Sequence, residues 1–272
     1  MKFKAAIIQT NTANEPVEAF NQLAELVRAA HKKGAQFIAT PEGSNLLERD
    51  PEKFAQICPK WGESAYSKYS ELAKELGITL LIGSALFKIE GQKAVNRSLL
   101  FDKNGALIAQ YDKIHLFDVN LGNGMELMES RSYEAGNRAI LADTDFGKIG
   151  LSICYDVRFA ELYRMLCQNG AQFLTIPAAF TVPTGRAHWE TLLRARAIEN
   201  SAYVIAPAQG GMHKDGRQTF GHSMIINPWG EIIAHIDNDE TGFAIAQIDH
   251  EEVNEARRKI PAWNLNKDFD LP

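Results

Sequence analysis

The sequence predicts an α/β fold, a single layered domain with helices outside and sheets inside. Strand patterns and helical patterns alternate along the 272 residues, and no linker rich in proline, glycine or serine interrupts them. The tetrapeptide GAQF occurs twice, at residues 34–37 and 170–173. Each copy stands at a helix-to-strand junction that leads to a proline, which indicates two related halves.

The first half opens with a strand, a helix and a second strand. Residues 3–9 (FKAAIIQ) are typical of a buried strand. Residues 17–33 carry apolar side chains at helical spacing, and Gly34 follows as a helix stop. Residues 36–40 (QFIAT) then predict a short buried strand. The turn DKNG precedes a further strand, ALIAQYDK, which leads to Lys113.

The second half repeats this order. Residues 151–154 (LSIC) predict a strand that ends at Cys154, and residues 157–169 predict a helix with Asp156 as its N-cap. A strand, QFLTI, follows Gly170. The C-terminal region adds the strands YVIAPAQ and GFAIAQID, with a hairpin between them that turns at residues 228–230.

Composition and charge narrow the class of protein. The formal net charge of −5 gives no support for sequence-independent binding to nucleic acid. No apolar run is long enough to span a bilayer, and the N-terminus lacks the features of a secretion signal. Three widely spaced cysteines, without a C-x-x-C pair, predict neither a disulfide framework nor a metal site, and they favour a cytoplasmic location. No phosphate-binding loop is present, so no cofactor is predicted.

Three reactive side chains fall at the ends of predicted strands. Glu42 follows the strand QFIAT, Lys113 ends ALIAQYDK, and Cys154 ends LSIC. In layered α/β folds the loops at these strand ends converge on the binding crevice. A helix beginning near Asp156 would favour the Cys154 thiolate, and it would leave the N–H of Tyr155 free to face a developing oxyanion.

The segments that contain these residues carry a family resemblance. ATPEGSN, YDKIHLFDVN and LSICYDVRFAELYR resemble the three signature blocks of the nitrilase superfamily of carbon–nitrogen hydrolases, in the family order. The resemblance runs from residue 3 to about residue 270 and implies a four-layer α-β-β-α sandwich that pairs into a homodimer. It also implies one domain over residues 1–272, with residues 259–272 as an extended tail.

The resemblance assigns roles in amide hydrolysis. It implies Cys154 as nucleophile, Glu42 as general base and Lys113 as catalytic lysine, with Glu129 as a second glutamate and Glu126 as a nearby alternative. Glu42 takes the thiol proton and delivers it to departing ammonia, while Lys113 and the Tyr155 N–H stabilise the oxyanion. The product is a thioester that water hydrolyses. Burial near Glu129 is expected to raise the pKa of Glu42.

The second half resembles one branch of the superfamily. PAAFTVPTGRAHWETLLRARAIEN and APAQGGMHKDG are similar to amidases that convert deaminated glutathione to α-ketoglutarate and cysteinylglycine. The ω-amidases, which act on α-ketoglutaramate, are an alternative, as are N-carbamoyl amine hydrolases. The carboxylates of such substrates suggest Arg158 and Arg186 as partners, and Phe180 and Thr181 as neighbours on the pocket rim.

Two other interpretations stay open from the sequence. A Cys–His hydrolase could use His115 or His222 as the base, although ICYDV lacks the glycine pattern of a nucleophile elbow. A non-enzymatic interaction protein could keep the same fold, although the intact Glu42, Lys113 and Cys154 speak against it.

Overall fold

The computed structural model describes residues 1–88, 92–122, 126–267 and 270, with the side chains of residues 59–63 excepted. The α-helices described are α1 (Pro16–Lys32), α2 (Pro51–Leu76), α3 (Ala160–Gln168), α4 (Val182–Asn200) and α5 (His250–Lys259). Short 3₁₀ helices cover Glu129–Arg131, Cys154–Arg158 and Pro261–Asn264. The strands are β1 (Lys2–Gln9), β2 (Phe37–Ala39), β3 (Thr79–Lys88), β4 (Ala94–Phe101), β5 (Leu107–Asp112), β6 (Asp118–Asn120), β7 (Glu126–Met128), β8 (Ile140–Thr144), β9 (Gly147–Leu151), β10 (Phe173–Thr175), β11 (Tyr203–Ala206), β12 (Gly210–Met212), β13 (Gln218–Phe220), β14 (Met224–Ile226), β15 (Ile232–His235) and β16 (Gly242–Asp249).

Two six-stranded sheets lie face to face between helices. Their strand orders are β16-β1-β2-β3-β4-β5 and β15-β14-β11-β10-β9-β8. Along β1 the side chains alternate between two cores: Phe3, Ala5 and Ile7 pack into the core shared with the second sheet, while Ala6 and Ile8 pack with α1 and α2. Helices α3 and α4 contact strands of the second sheet. The predicted four-layer α-β-β-α sandwich is confirmed.

The two GAQF segments adopt the same local structure. Gly34 and Gly170 both have positive φ, at 92° and 106°, a region that favours glycine after a helix. The following glutamine N–H donates in each copy to a carbonyl of the preceding strand, Gln36 to Lys4 and Gln172 to Lys148. The sequence repeat therefore marks one β-α-β unit in each sheet.

The prolines that follow the two repeats meet over Gly83. A Cβ at Gly83 would lie 1.9 Å from the Thr40 carbonyl oxygen and 2.4 Å from the Pro177 Cβ. The N–H of Ser84 donates to the Pro41 carbonyl at 3.1 Å. Only a glycine allows this approach, which brings the loop after β2 and the loop after β10 together where the sheets face each other.

Two predicted boundaries near Cys154 are wrong. Strand β9 ends at Leu151, and Cys154 begins a 3₁₀ helix instead of ending the strand. Asp156 lies inside that 3₁₀ helix and accepts a hydrogen bond from the N–H of Ile153, whereas α3 starts after Phe159 without a side-chain cap. A short 3₁₀ turn, in which the Asp156 side chain accepts from the Ile153 N–H and the Asp156 N–H donates to the Ile153 carbonyl, follows β9 in place of a long helix.

The predicted tail lies partly within the described residues. Arg164 of α3 donates to the carbonyls of Ala262 and Leu265, so the segment after α5 packs against α3. Residues 268–269 and 271–272 of the predicted tail lie outside the described residues. Among the helices that the structure describes, none combines the length and apolar character needed to cross a bilayer.

Candidate active site

A cavity of about 670 Å³ opens where the loops of the two sheets meet. Glu42, Lys113, Glu129 and Cys154 all contribute to its lining. Lys113 is only 2% exposed and Cys154 only 8% exposed. The structure therefore brings together, in one cleft, four side chains that are 16 to 71 residues apart along the chain from one neighbour to the next.

The Lys113 ammonium lies between the two carboxylates. Its Nζ donates to Glu42 Oε1 at 3.0 Å and to both Glu129 oxygens at 3.0 and 2.9 Å. Lys113 directly follows β5, and its N–H donates to the Asn96 carbonyl on β4. Glu129 also accepts from the Phe117 N–H at 2.6 Å. Glu126, the sequence alternative to Glu129, lies exposed at the start of β7.

Glu42 is held by four donors. Besides Lys113, the Asn96 amide donates to its Oε1 at 2.9 Å and the Ala179 N–H donates to its Oε2 at 2.9 Å. The Cys154 thiol is the fourth hydrogen-bond partner of the carboxylate. Asn96 and Ala179 were not identified from the sequence, because their roles depend on where β4 and the loop after β10 lie in space.

The backbone at Cys154 is forced into an unusual conformation. Its φ is +51°, which non-glycine residues rarely adopt, and its N–H donates to the Pro177 carbonyl at 2.9 Å. The next N–H, that of Tyr155, has no acceptor among the described residues and lies beside the thiol. This elbow presents a sulfur atom and a free donor to the same cavity.

Asp156 ties the Cys154 elbow to the segment that carries Lys113. Its fully buried carboxylate accepts from the Tyr111 hydroxyl at 2.6 Å, the Ile153 N–H at 2.8 Å and the His115 N–H at 3.1 Å. Tyr111 and His115 lie on either side of Lys113 in the chain. Asp156 therefore fixes the nucleophile's turn and the lysine's backbone against each other.

The charges in the cleft set the protonation states. Burial raises the pKa of Glu42, but the Lys113 charge and hydrogen bonds from Cys154, Lys113 and Asn96 outweigh it, so the pKa lies below the ordinary glutamate value. Burial lowers the pKa of Lys113, but Glu129 and Glu42 raise it well above normal. Burial and Glu42 raise the pKa of Cys154. The expectation of a raised Glu42 pKa was wrong, because it left out these donors.

Of the other four residues expected at the site, two line the cavity and two do not. Phe180 and Thr181 line the cavity. Arg158 and Arg186 do not: the Arg158 guanidinium lies 5.8 Å from the Tyr155 ring and 5.7 Å from the Phe180 ring, and Arg186 is exposed on α4. Arg158 thus lies beside two residues of the lining without belonging to it.

Neither histidine of the alternative mechanism reaches the thiol. His115 Nδ1 lies 2.7 Å from Asp156 Oδ1, and the ring stacks on Phe159. His222 Nδ1 lies 2.7 Å from the Phe220 carbonyl oxygen. The described cavity lining contains neither ring, whereas Glu42 directly contacts Cys154.

Comparison with known proteins supplies the family. The model of the carbon-nitrogen hydrolase family matches residues 4–258. The chain belongs to the carbon-nitrogen hydrolase family. A deaminated glutathione amidase from Synechocystis sp. is 41% identical over 265 residues, which cover 96% of each chain. The deaminated glutathione amidase of Homo sapiens is 38% identical and is matched over 95% of this chain and 80% of its own length.

A solved structure supports the same assignment. Nit3 from Saccharomyces cerevisiae, a member of branch 10 of the nitrilase superfamily, superposes with a TM-score of 0.85 at 28% identity. The match covers 96% of this chain and 94% of Nit3. The resemblance seen in the sequence blocks is confirmed, and this carbon-nitrogen hydrolase acts on carbon–nitrogen bonds other than peptide bonds.

The coupling of Cys154 to Glu42 predicts the pH dependence of alkylation. A proton moving from thiol to carboxylate leaves the total proton count of the pair unchanged, so the reactive thiolate population should not vary with pH. We expect iodoacetamide to modify Cys154 at a nearly constant rate between about pH 6 and 8, whereas an ordinary thiol gains roughly tenfold per pH unit below its pKa. Peptide mass spectrometry at each pH measures this rate.

The same experiment contains its controls. Cys58 and Cys167 are fully buried and their pKa values are raised by burial to about 12, so both should react far more slowly. In Glu42→Gln the Cys154 rate should rise with pH like that of an ordinary thiol, because no coupled carboxylate remains to take the proton. A wild-type rate that climbs tenfold per pH unit contradicts the coupling.

Proposed function

We propose that this carbon-nitrogen hydrolase is an amidase that works through a thioester on Cys154. The contact of Lys113 and Cys154 with the same buried Glu42 carboxylate is the observation that supports it most strongly. A thiol beside a base and an ammonium can carry out both acyl transfer and hydrolysis. Glu129 orients Lys113, with which it makes two hydrogen bonds.

The first half-reaction forms the thioester. Sγ of Cys154 attacks the amide carbonyl carbon as its proton passes to Glu42, and the negative charge moves to the carbonyl oxygen. Lys113 Nζ and the Tyr155 N–H stabilise that oxyanion. The tetrahedral intermediate then collapses, the carbon–nitrogen bond breaks, and Glu42 returns its proton to the leaving nitrogen.

The second half-reaction releases the acid. Water attacks the thioester carbon while Glu42 accepts its proton, and the same two donors hold the second oxyanion. The carbon–sulfur bond then breaks, and Glu42 returns the proton to the Cys154 sulfur. The lowered pKa of Glu42 suits it to act as a base in the free enzyme; it becomes an acid only by receiving the thiol or water proton.

Deaminated glutathione is the substrate we propose. The Synechocystis and human relatives carry the name of that activity. The substrate has a carboxylate at each end, and the cavity lining contains a set of cations: Arg49, Lys88, Lys93, Arg131 and Arg217. A volume of about 670 Å³ lies in the range of pockets that enclose ligands of this size.

The products discriminate between the candidate substrates. Deaminated glutathione should yield α-ketoglutarate and cysteinylglycine in equal amounts, without ammonia, since the leaving nitrogen belongs to cysteine. α-Ketoglutaramate yields ammonia instead, and an N-carbamoyl amine yields the free amine, ammonia and carbon dioxide. We expect kcat/KM to be highest for deaminated glutathione when α-ketoglutarate release is measured for the two keto acid amides and ammonia release for the N-carbamoyl amine. A higher value for either alternative contradicts the substrate proposal but leaves Cys154 as the proposed nucleophile.

We also propose that two copies pair through the outer face of the second sheet's helices. Five apolar side chains at least half exposed, Met165, Ile198, Trp229, Ile260 and Leu265, lie on or near α3, α4 and the segment after α5. These elements contact one another, so their exposed apolar groups form a continuous face that a second copy can bury.

Light scattering during size-exclusion chromatography tests this pairing. The wild type should elute as a dimer, and Ile198→Glu should shift the mass to that of a monomer because it places a charge in the apolar face. Val17→Glu is a matched control, since Val17 is equally exposed but lies on α1. A wild-type monomer, or a dimer that Ile198→Glu leaves intact, contradicts the proposed interface.

The thiols agree with a reducing compartment. Cys58, Cys154 and Cys167 are unpaired, and the proposed mechanism requires the thiol form of Cys154. We propose that the enzyme is cytoplasmic and that residues 1–272 form one domain, whose sheets share a core to which Phe3 and Phe173 both contribute. Subcellular fractionation should recover the enzyme with the cytoplasmic proteins. Calorimetry should show a single unfolding transition for the one domain.

A further inference from the structure

Arg217 enters the cavity from the turn between β12 and β13, a segment that the mechanism above does not use. The residue lines the same cavity as Cys154 and Lys113. Its side chain is 27% exposed, so it faces the cleft and not open solvent. The charge on Arg217 partly opposes the rise in the Tyr133 pKa that burial causes, and Tyr133 also lines the cavity.

A buried carboxylate orients the Arg217 guanidinium. Nε donates to Asp215 Oδ2 at 2.7 Å, and the Arg217 backbone N–H donates to Asp215 Oδ1 at 3.0 Å. The Asp215 side chain is completely buried. Among the described residues, the two terminal nitrogens of Arg217 have no acceptor. These nitrogens are the pair that binds a carboxylate in bidentate geometry.

The turn that carries Arg217 is itself fixed. The His213 N–H donates to the Arg217 carbonyl at 2.9 Å, and Gly216 supplies the positive φ of +81° that closes the turn. His213 Nε2 lies 2.7 Å from the Thr219 hydroxyl, and burial lowers the His213 pKa to about 4. A neutral, buried histidine thus holds the base of the hairpin without competing for an anion.

Three other cations of the lining are held less firmly. Lys93 Nζ donates to the Ser130 carbonyl and is exposed, and Arg49 and Arg131 are exposed. Holding a long exposed side chain in one geometry costs rotamer entropy, and this cost is large for Arg and Lys. Asp215 already restricts the Arg217 side chain in the free enzyme, so Arg217 loses less rotamer entropy when it binds a carboxylate. A prearranged donor pair inside the cavity is the better carboxylate anchor.

We propose that Arg217, oriented by Asp215, binds a carboxylate of the amide substrate and so sets the preference of this enzyme for acidic amides. The inference rests on the proposed amidase function. The carboxylate that Arg217 binds can belong to the acyl side or to the glycine end of deaminated glutathione.

Steady-state kinetics of Arg217→Gln test the proposal on three amides. Loss of a charged hydrogen-bonded pair is worth about 1.5–3 kcal/mol, so KM for deaminated glutathione should rise about 10- to 100-fold while kcat changes little. The rate with a neutral amide such as propionamide should be unchanged. A rise with α-ketoglutaramate as well assigns the acyl-side carboxylate; a rise with deaminated glutathione alone assigns the glycine end.

Matched variants separate binding from a structural role. Arg217→Lys keeps the charge but not the paired donors and should give an intermediate KM. Arg28→Gln removes an exposed cation on α1, outside the cavity lining, and should leave KM within about threefold, as expected for a solvent-screened charge. The double variant Arg217→Gln/Asp215→Asn leaves no unpaired buried charge, so it provides the same readout if the single variant unfolds.

Two results would overturn the proposal. An equal loss of activity on propionamide and on the acidic amides means that Arg217 only supports the fold. An unchanged KM on both acidic amides means that another group binds the carboxylate. Failure of the amidase proposal looks different, because the wild type would then hydrolyse none of the three amides.

Discussion

Cys154→Ala is expected to abolish turnover on every amide that the wild type hydrolyses. The variant keeps Glu42, Lys113 and the Tyr155 N–H, but no atom remains that can form the thioester. In the well-studied Ser–His–Asp hydrolases, removing a nucleophile costs on the order of 10⁶ in kcat. A coupled assay for α-ketoglutarate at high enzyme concentration measures the residual rate, with mass spectrometry to look for the acyl adduct.

Cys167→Ala is the matched control for that variant. Cys167 is also buried, but it lies on α3 away from the cavity lining. Its loss should lower stability by about 1 kcal/mol, as for a modest core truncation, and leave kcat close to that of the wild type. Turnover by Cys154→Ala within tenfold of the wild-type rate would show that another group attacks the amide.

Lys113→Met is expected to lose at least about 10²–10³ in kcat, because it removes one of the two proposed oxyanion donors. It should also lower the free energy of unfolding by about 3–5 kcal/mol, since Glu42 and Glu129 would remain buried without their shared cation. Both carboxylates are nearly buried, so solvent cannot compensate. Urea unfolding and steady-state kinetics on the same preparation measure the two effects.

A second variant separates stability from chemistry. Lys113→Met/Glu129→Gln removes one of the two unpaired carboxylates and should recover a large part of the lost stability, but none of the lost rate. Lys103→Met is the control for loss of a lysine, because its ion pair with Asp145 is exposed and should contribute little. Recovery of activity in the double variant contradicts a direct role for Lys113.

The sequence predicted the scaffold well because the scaffold depends on local patterns. The GAQF repeats, the apolar run of residues 3–9 and the glycine stops each report on a few neighbouring residues, and all lie as expected. The convergence of Glu42, Lys113 and Cys154 was expected from the resemblance of their segments to the family blocks, together with the rule that loops at strand ends line the binding crevice.

The features that the sequence did not predict depend on distant parts of the chain. Asp156 looked like an ordinary helix cap, but its partners Tyr111 and His115 come from the other sheet. Arg158 looked suitable for a carboxylate, but its guanidinium lies near the Tyr155 and Phe180 rings and beside His188, outside the cavity lining. The Glu42 pKa is the difference between large opposing effects, so its sign required every donor to be known.

Because β16 completes the first sheet, that sheet can form in full only after β16 has been synthesised. β16 pairs with β1 over eight residues, from Lys2 with Asp249 to Gln9 with Gly242, although every other strand lies between them in the chain. The sheet that carries Glu42 and Lys113 is therefore finished only after Cys154 has long been made. A chain that stops before residue 242 leaves the edge of β1 without the strand that covers it in the finished sheet.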